Sequence, residues 1–292
     1  MFVATLVASG SMGQGDIAEA ADRLRDAGCA PSDCCWLDAD KAADLFFGAD
    51  PVAARAALAG VGAGIDIIVQ ATETREKTLL IADMDSTMIT VECIDELADY
   101  AGIKPQIAEI TERAMRGELD FAGALHERVA LLKGLEDAAI DLCRAERVVI
   151  MGGARALVRT MKARGARTLL VSGGFTRFTG PVAEEIGFDA AVANVLEIAD
   201  GALLGTVTTP IVDAARKRAE LEAAIAGGID RALTLAVGDG ANDIPMIQGA
   251  GLGVAYHAKP KTREAAAAEI IHGDLSVLLY AQGIASAQWV LG

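Results

Sequence analysis

Histidine and paired cysteine are scarce in this chain, and their scarcity excludes the commoner zinc sites. Only 3 histidines occur in 292 residues, and the 5 cysteines, Cys29, Cys34, Cys35, Cys93 and Cys143, show no C-x-x-C spacing. An odd cysteine count without a framework points to reduced thiols in a cytosolic protein. Long apolar runs are missing too, and none reaches the length that crosses a bilayer. The opening Met1–Ala8 is apolar but short, with no basic residues before it, so it reads as a first strand rather than a signal peptide. Positive charge is in deficit: 26 Lys+Arg against 41 Asp+Glu leave a formal net charge of −15. That balance argues against nucleic acid or an anionic membrane as a partner. Attraction of an anionic substrate must then be local, from a metal or a few cations. There is no internal repeat, and the alanine run Ala265–Ala268 reads as plain helix.

What is present suffices for a packed core. Hydrophobic residues make up 52% and charged residues 23%, which excludes disorder, and the length favours two domains or one domain with an insertion. Strand-like runs at 2–8, 34–37, 43–47 and 65–70 alternate with helical stretches at 16–27 and 51–58. The order β-α-β-β-α-β is a small split-βαβ domain over residues 1–75, with the polar stretch Ala71–Lys77 as linker. Residues 76–292 begin with the strand Leu79–Ala82 and pass into four helical stretches without strands. That block, about 91–150, is too long for an ordinary connection and reads as a helical cap inserted beside a pocket. Strand and helix then alternate from Ala154 onward, with a hairpin around Ala199-Asp200-Gly201. The fold class is α/β: a doubly wound, mostly parallel Rossmann-like sheet with an inserted helical cap, preceded by the small α+β domain.

Three apolar strands end in polar groups, and in a parallel sheet all such ends lie on one edge. The first delivers Asp83 and Asp85, whose i, i+2 spacing points both carboxylates the same way. An isolated D-x-D commonly does no more than end a strand and open a turn. The second strand ends in Ser172-Gly173-Gly174, a hydroxyl and a glycine pair whose N–H groups can approach an anion. The third ends in Gly238-Asp239-Gly240-Ala241-Asn242-Asp243, and Lys217 lies between the second and third. Two close acids need a cation between them or a retained proton. A carboxylate cluster with oxygen ligands suits Mg²⁺ rather than zinc. Each piece has a plain alternative, a turn or a solvated helix lysine, but their order together makes a phosphate site.

D-M-D-S-T, then L-L-V-S-G-G, then V-G-D-G-A-N-D resemble the haloacid dehalogenase superfamily of phosphoryl-transfer enzymes. Within it, Glu92–Leu97, Thr111–Gly117 and Phe121–Leu132 resemble the phosphoserine phosphatase group, over about residues 79–283. The N-terminal layout is similar to the ACT-type domains that precede some of them. The resemblance implies Asp83 as nucleophile and Asp85 as general acid and base. It implies Mg²⁺ held by Asp83, Asp239 and the Asp85 backbone carbonyl, with Asp243 in support. Ser172, Gly173, Lys217 and Asn242 would bind phosphate. Glu92 and Arg128 would take the ammonium and carboxylate of the small-molecule substrate O-phosphoserine, under a lid of Met115 and Phe121. Phosphohomoserine or another small phosphomonoester is the alternative substrate, and a non-catalytic amino-acid-sensing regulator the alternative class. A homodimer is left open. Every candidate catalytic group follows the linker, so a fragment lacking residues 1–75 is expected to stay soluble and competent.

Overall fold

The computed structural model describes residues 1–116 and 118–291, without the side chain of Met115. The N-terminal part runs β1 (Phe2–Ala8), α1 (Gln14–Asp26), β2 (Pro31–Asp38), β3 (Ala42–Phe47), α2 (Pro51–Leu58) and β4 (Ile65–Ala71). Its strands form an antiparallel sheet in the order β2-β3-β1-β4. Helix α2 starts where it does because the Asp50 carboxylate accepts from the Val52 and Ala53 N–H groups and Pro51 is preset for the first turn. One sheet face buries Leu6, Leu45 and Val69 with Ile17, Leu24 and Leu58 of the two helices. The other face is not left to water: Val7, Ala42 and Ile68 belong to the main core of the larger part.

That larger part opens with β5 (Leu79–Ala82), all four residues fully buried. A strand covered on both faces reads as an unbroken apolar run rather than an alternation. Four helices follow: α3 (Cys93–Tyr100), α4 (Lys104–Met115), α5 (Phe121–Leu131) and α6 (Ala138–Arg147). The chain then returns through α7 (Ala154–Ala163), β6 (Arg167–Phe175), α8 (Thr176–Ile186), β7 (Ala190–Asn194) and the hairpin β8 (Leu196–Ala199) with β9 (Ala202–Val207). It finishes as α9 (Ala214–Ala226), β10 (Thr234–Gly238), α10 (Ile244–Gly249), β11 (Leu252–Tyr256), α11 (Pro260–Ala265), β12 (Ala268–Ile270) and α12 (Val277–Ala281). The six strands of this sheet are all parallel, in the order β12-β11-β10-β5-β6-β7. The strands that carry the candidate groups, β10, β5 and β6, are therefore central neighbours.

The block α3–α6 leaves and re-enters the sheet through two segments that pair with each other. Ile89 bridges Ile150, the Thr90 N–H donates to the Val149 carbonyl at 3.0 Å, and the Met151 N–H donates to the Met88 carbonyl at 2.9 Å. This pair is the cap's hinge.

Two local expectations change. The alanine run is not continuous helix: α11 stops at Ala265, the Ala267 N–H donates to the Gly253 carbonyl at 3.0 Å, and Ala268 opens β12. Parallel pairing with β11 outweighs alanine's helix preference. The run Ser172-Gly173-Gly174 does not end its strand either. It lies within β6 as an irregularity, between the pairings of Val171 and Phe175 with β7.

The two parts are joined by polar groups as well as by the shared core. The Asp44 carboxylate accepts from the Thr5 hydroxyl at 2.7 Å and from the Arg75 guanidinium at 2.8 and 3.0 Å. Arg75 also reaches the Ala281 carbonyl at 3.3 Å, and the Gln70 amide donates to that carbonyl at 2.7 Å. The Tyr280 hydroxyl donates to Asp38 at 2.8 Å.

Candidate active site

Asp83 and Asp85 follow the carboxyl end of β5, and Met84 between them turns into the core. Ser86 then takes a left-handed φ of 54°, which reverses the chain immediately after the second acid. Lys217, fully buried on α9, places its ammonium 2.6 Å from Asp83 and 2.7 Å from Asp243. Burial works against that charge, but Asp243 and Asp83 more than offset it, and the ammonium's pKa is held above lysine's ordinary value. Asp243 can tuck beneath the end of β10 because residue 238 is glycine: a Cβ there would stand 2.4 Å from the Asp243 carboxyl carbon. The second Asp243 oxygen accepts the Gly240 N–H at 3.0 Å.

Asp83, Asp239 and Asp243 each offer an oxygen, and these lie within 4.8 Å of one another. Asp243, expected only in support, is thus grouped with the two ligand candidates. Burial first, and then Asp243, raise the Asp83 pKa well above the carboxylate range and that of Asp239 to about 6. Three acids with one lysine between them are under-compensated, and the oxygen-only donor set fits a hard divalent cation.

The Asp85 carboxylate is turned elsewhere. One oxygen accepts the Cys93 N–H at 2.9 Å, the other the Ser172 hydroxyl at 3.3 Å. Burial raises its pKa, partly countered by the Cys93 hydrogen bonds. Two acids two positions apart therefore sit in different electrostatic surroundings. Ser172 is fully buried and also accepts the Gly174 N–H at 2.8 Å. Asn242 is half-buried on the loop after β10.

The cap brings the remaining candidates to this edge. Phe121 reaches Gly173 so closely that a Cβ there would lie 3.0 Å from its ring tip. Glu92 receives the Ser86 hydroxyl at 2.7 Å, and desolvation with nearby Asp85 pushes its pKa up to about 7. The Arg128 Nε donates to the Ala124 carbonyl of its own helix at 3.2 Å. Among the described residues no carboxylate lies within 4 Å of its guanidinium, and Asp95, Glu92 and Asp85 are the charges that act on it. The Met115 side chain lies outside the described residues.

Three participants were not singled out from the sequence. Asn194, 2% exposed, donates to the Gly173 carbonyl at 2.8 Å and accepts the Val212 N–H at 2.7 Å, bolting the irregular end of β6 to the approach to α9. Thr87 donates to Asp239 at 3.4 Å, and Ser86 orients Glu92. The signal available in the sequence was an amide closing the apolar run Ala190–Ala193.

The family model for haloacid dehalogenase-like hydrolases matches residues 80–248, more than half of the chain. The chain belongs to that family. Among its relatives, a phosphoserine phosphatase of Streptomyces coelicolor is 47% identical over 227 residues, which is 77% of this chain. The chain spans only about half of that relative's length, since the match covers 55% of it. A crystal structure of a probable phosphoserine phosphatase from Vibrio cholerae is 31% identical, covers 98% of this chain and 88% of its own, and superposes with a TM-score of 0.78. A phosphoserine phosphatase solved as a phospho-aspartyl intermediate analogue is 39% identical, covers 70% of this chain and 98% of its own, with a TM-score of 0.65.

Proposed function

We propose that this chain hydrolyses O-phosphoserine to serine and phosphate, with a catalytic part at 76–292, a cap at about 91–150 and an accessory domain at 1–75. The observation that carries the substrate choice is Arg128, a guanidinium without a carboxylate partner among the described residues, set on the same cap as Glu92. Opposite charges beside a phosphoryl site match a substrate with a carboxylate and an ammonium. The named relatives support the same substrate class.

Asp83 attacks phosphorus, and the P–O bond to the serine side chain breaks as the aspartyl-phosphate forms. Asp85 gives its proton to the departing alkoxide, so serine leaves neutral at that oxygen. Asp85 then takes a proton from water, whose oxygen attacks phosphorus and releases phosphate, restoring Asp83. Lys217, Ser172 and the Gly173 backbone hold the non-bridging oxygens, with Asn242 helping to position them. Mg²⁺, held by Asp83, Asp239 and the Asp85 carbonyl with Asp243 beside them, would neutralise phosphoryl charge. Phe121, with Met115, excludes bulk water from the closed site. All five cysteines are free thiols, which supports the cytosol as the compartment.

The test is phosphate release with Mg²⁺ from O-phosphoserine, phosphohomoserine and phosphoethanolamine. O-phosphoserine should exceed phosphoethanolamine, which lacks the carboxylate, by roughly ten- to a hundredfold in kcat/KM. Equal rates on the two would remove the basis for the substrate assignment, and no release from any would remove the enzyme itself.

A further inference from the structure

One carboxylate of the N-terminal domain reaches the ground on which the cap's hinge rests. Asp66, 3% exposed, accepts the backbone N–H groups of Ile271 at 2.8 Å, His272 at 3.1 Å and Gly273 at 2.6 Å. Three successive amides converging on one anion hold the turn after β12 in a single shape. The residues that follow lie directly on the hinge. The Leu275 N–H donates to the Gly152 carbonyl at 3.1 Å. Gly153 has φ +76°, and a Cβ there would stand 2.4 Å from the Ser276 nitrogen. Gly152 and Gly153 end the returning hinge segment, which pairs with the outgoing one through Ile89 and Ile150. The outgoing segment leads directly to Glu92.

We propose that Asp66 is a positioning residue for the cap. By holding the 271–273 turn it fixes the surface beneath Gly152 and Gly153, and with it the stance of Glu92 and Arg128 over the phosphoryl site. Among the described residues the other polar ties between the parts do not reach this surface: Arg75, Gln70 and Asp38 end on residues 280–286, beyond the turn. The proposal rests on the phosphoserine reading for its kinetic consequence, but not for its structural one.

The experiment is Asp66→Asn in the full chain, since the amide keeps the shape while one oxygen becomes a group that cannot accept. kcat/KM for O-phosphoserine should fall about 3- to 10-fold, and that for p-nitrophenyl phosphate, which offers the cap neither ammonium nor carboxylate, by less than about twofold. Amide exchange at Thr90 and Met151 should quicken at least about fivefold along with that at 271–273. Faster exchange at 271–273 alone, or equal losses on both substrates, would overturn the proposal. Should the variant not fold, the wild-type chain answers by reciprocity. Saturation with Mg²⁺, L-serine and orthovanadate should slow exchange at Ile271–Gly273 as well as in the cap, and protection of the cap alone overturns the coupling. A wild-type chain that does not prefer phosphoserine over phosphoethanolamine defeats the substrate reading instead, while the hinge exchange in Asp66→Asn still decides this one.

Discussion

Asp83 and Asp85 are the same residue type two positions apart, yet one bonds a buried ammonium and the other a serine hydroxyl and a helix-end N–H. Burial raises the pKa of both, but only Asp83 has an ammonium in direct contact to favour its anion, while Asp85, bonded to uncharged donors, is placed to carry a proton. Asp85→Asn should therefore lose at least about a hundredfold in kcat/KM on phosphoserine, whose alkoxide needs the proton. On p-nitrophenyl phosphate, whose leaving group does not, the loss should be about tenfold or less. Equal losses measured on the two substrates would count against Asp85 as the acid. Lys77, 4% exposed, is a residue outside the site with a legible charge effect: among the described residues its ammonium has only the Ala232 carbonyl at 3.0 Å, and burial lowers its pKa from 10.5 to about 8. Between those values the unfolded chain holds a proton that the folded chain has released, so stability rises with pH across that window. Urea unfolding of wild type minus Lys77→Met from pH 7 to 10 should show that rise; a flat difference would show that Lys77 stays charged in the fold.

At the scale of elements, the linker is tied to β3 by a buried ion pair. Asp44 and Arg75 have side chains 2% and 15% exposed. Removing one partner strands the other charge, so Asp44→Ala should cost roughly 3–5 kcal/mol in a urea titration. Removing both at once, with Asp44→Leu and Arg75→Met, should cost much less. Most of the element order was legible, because β5, β6 and β10 are apolar runs of strand length bounded by polar turns. So was the placement of Asp83, Asp85 and Asp239 on one sheet edge, since strand-end position follows from topology; Lys217, on α9, was legible only as a cation lying between two of those strand ends in sequence. Asn194, Ser86 and Asp66 were not, because each works through a backbone group far away in sequence or through a left-handed φ. No local pattern encodes which carbonyl or amide will arrive opposite a side chain. The alanine run failed for a related reason: strand pairing partners lie outside any window that propensity can see.

For the whole molecule, the docked face of the N-terminal sheet alters what its removal would do. Residues 76–292 keep every candidate catalytic group, so the fragment should still turn over phosphoserine. It would also bare the core surface that Val7, Ala42 and Ile68 cover and leave the three amides after β12 without their acceptor. Its urea midpoint should fall well below that of the full chain, and its KM for phosphoserine should rise. An unchanged midpoint would show that the interface contributes little. The same interface bears on synthesis. The acceptors and donors that seat the first domain come from residues 271–286, more than 200 positions after Asp66 and Asp38. A nascent chain leaving the ribosome thus carries a finished small sheet with one apolar face uncovered until residues 271–286 emerge. Translation stalled before residue 270 should yield chains that recruit holdase chaperones through that face, and emergence of residues 271–286 should free them.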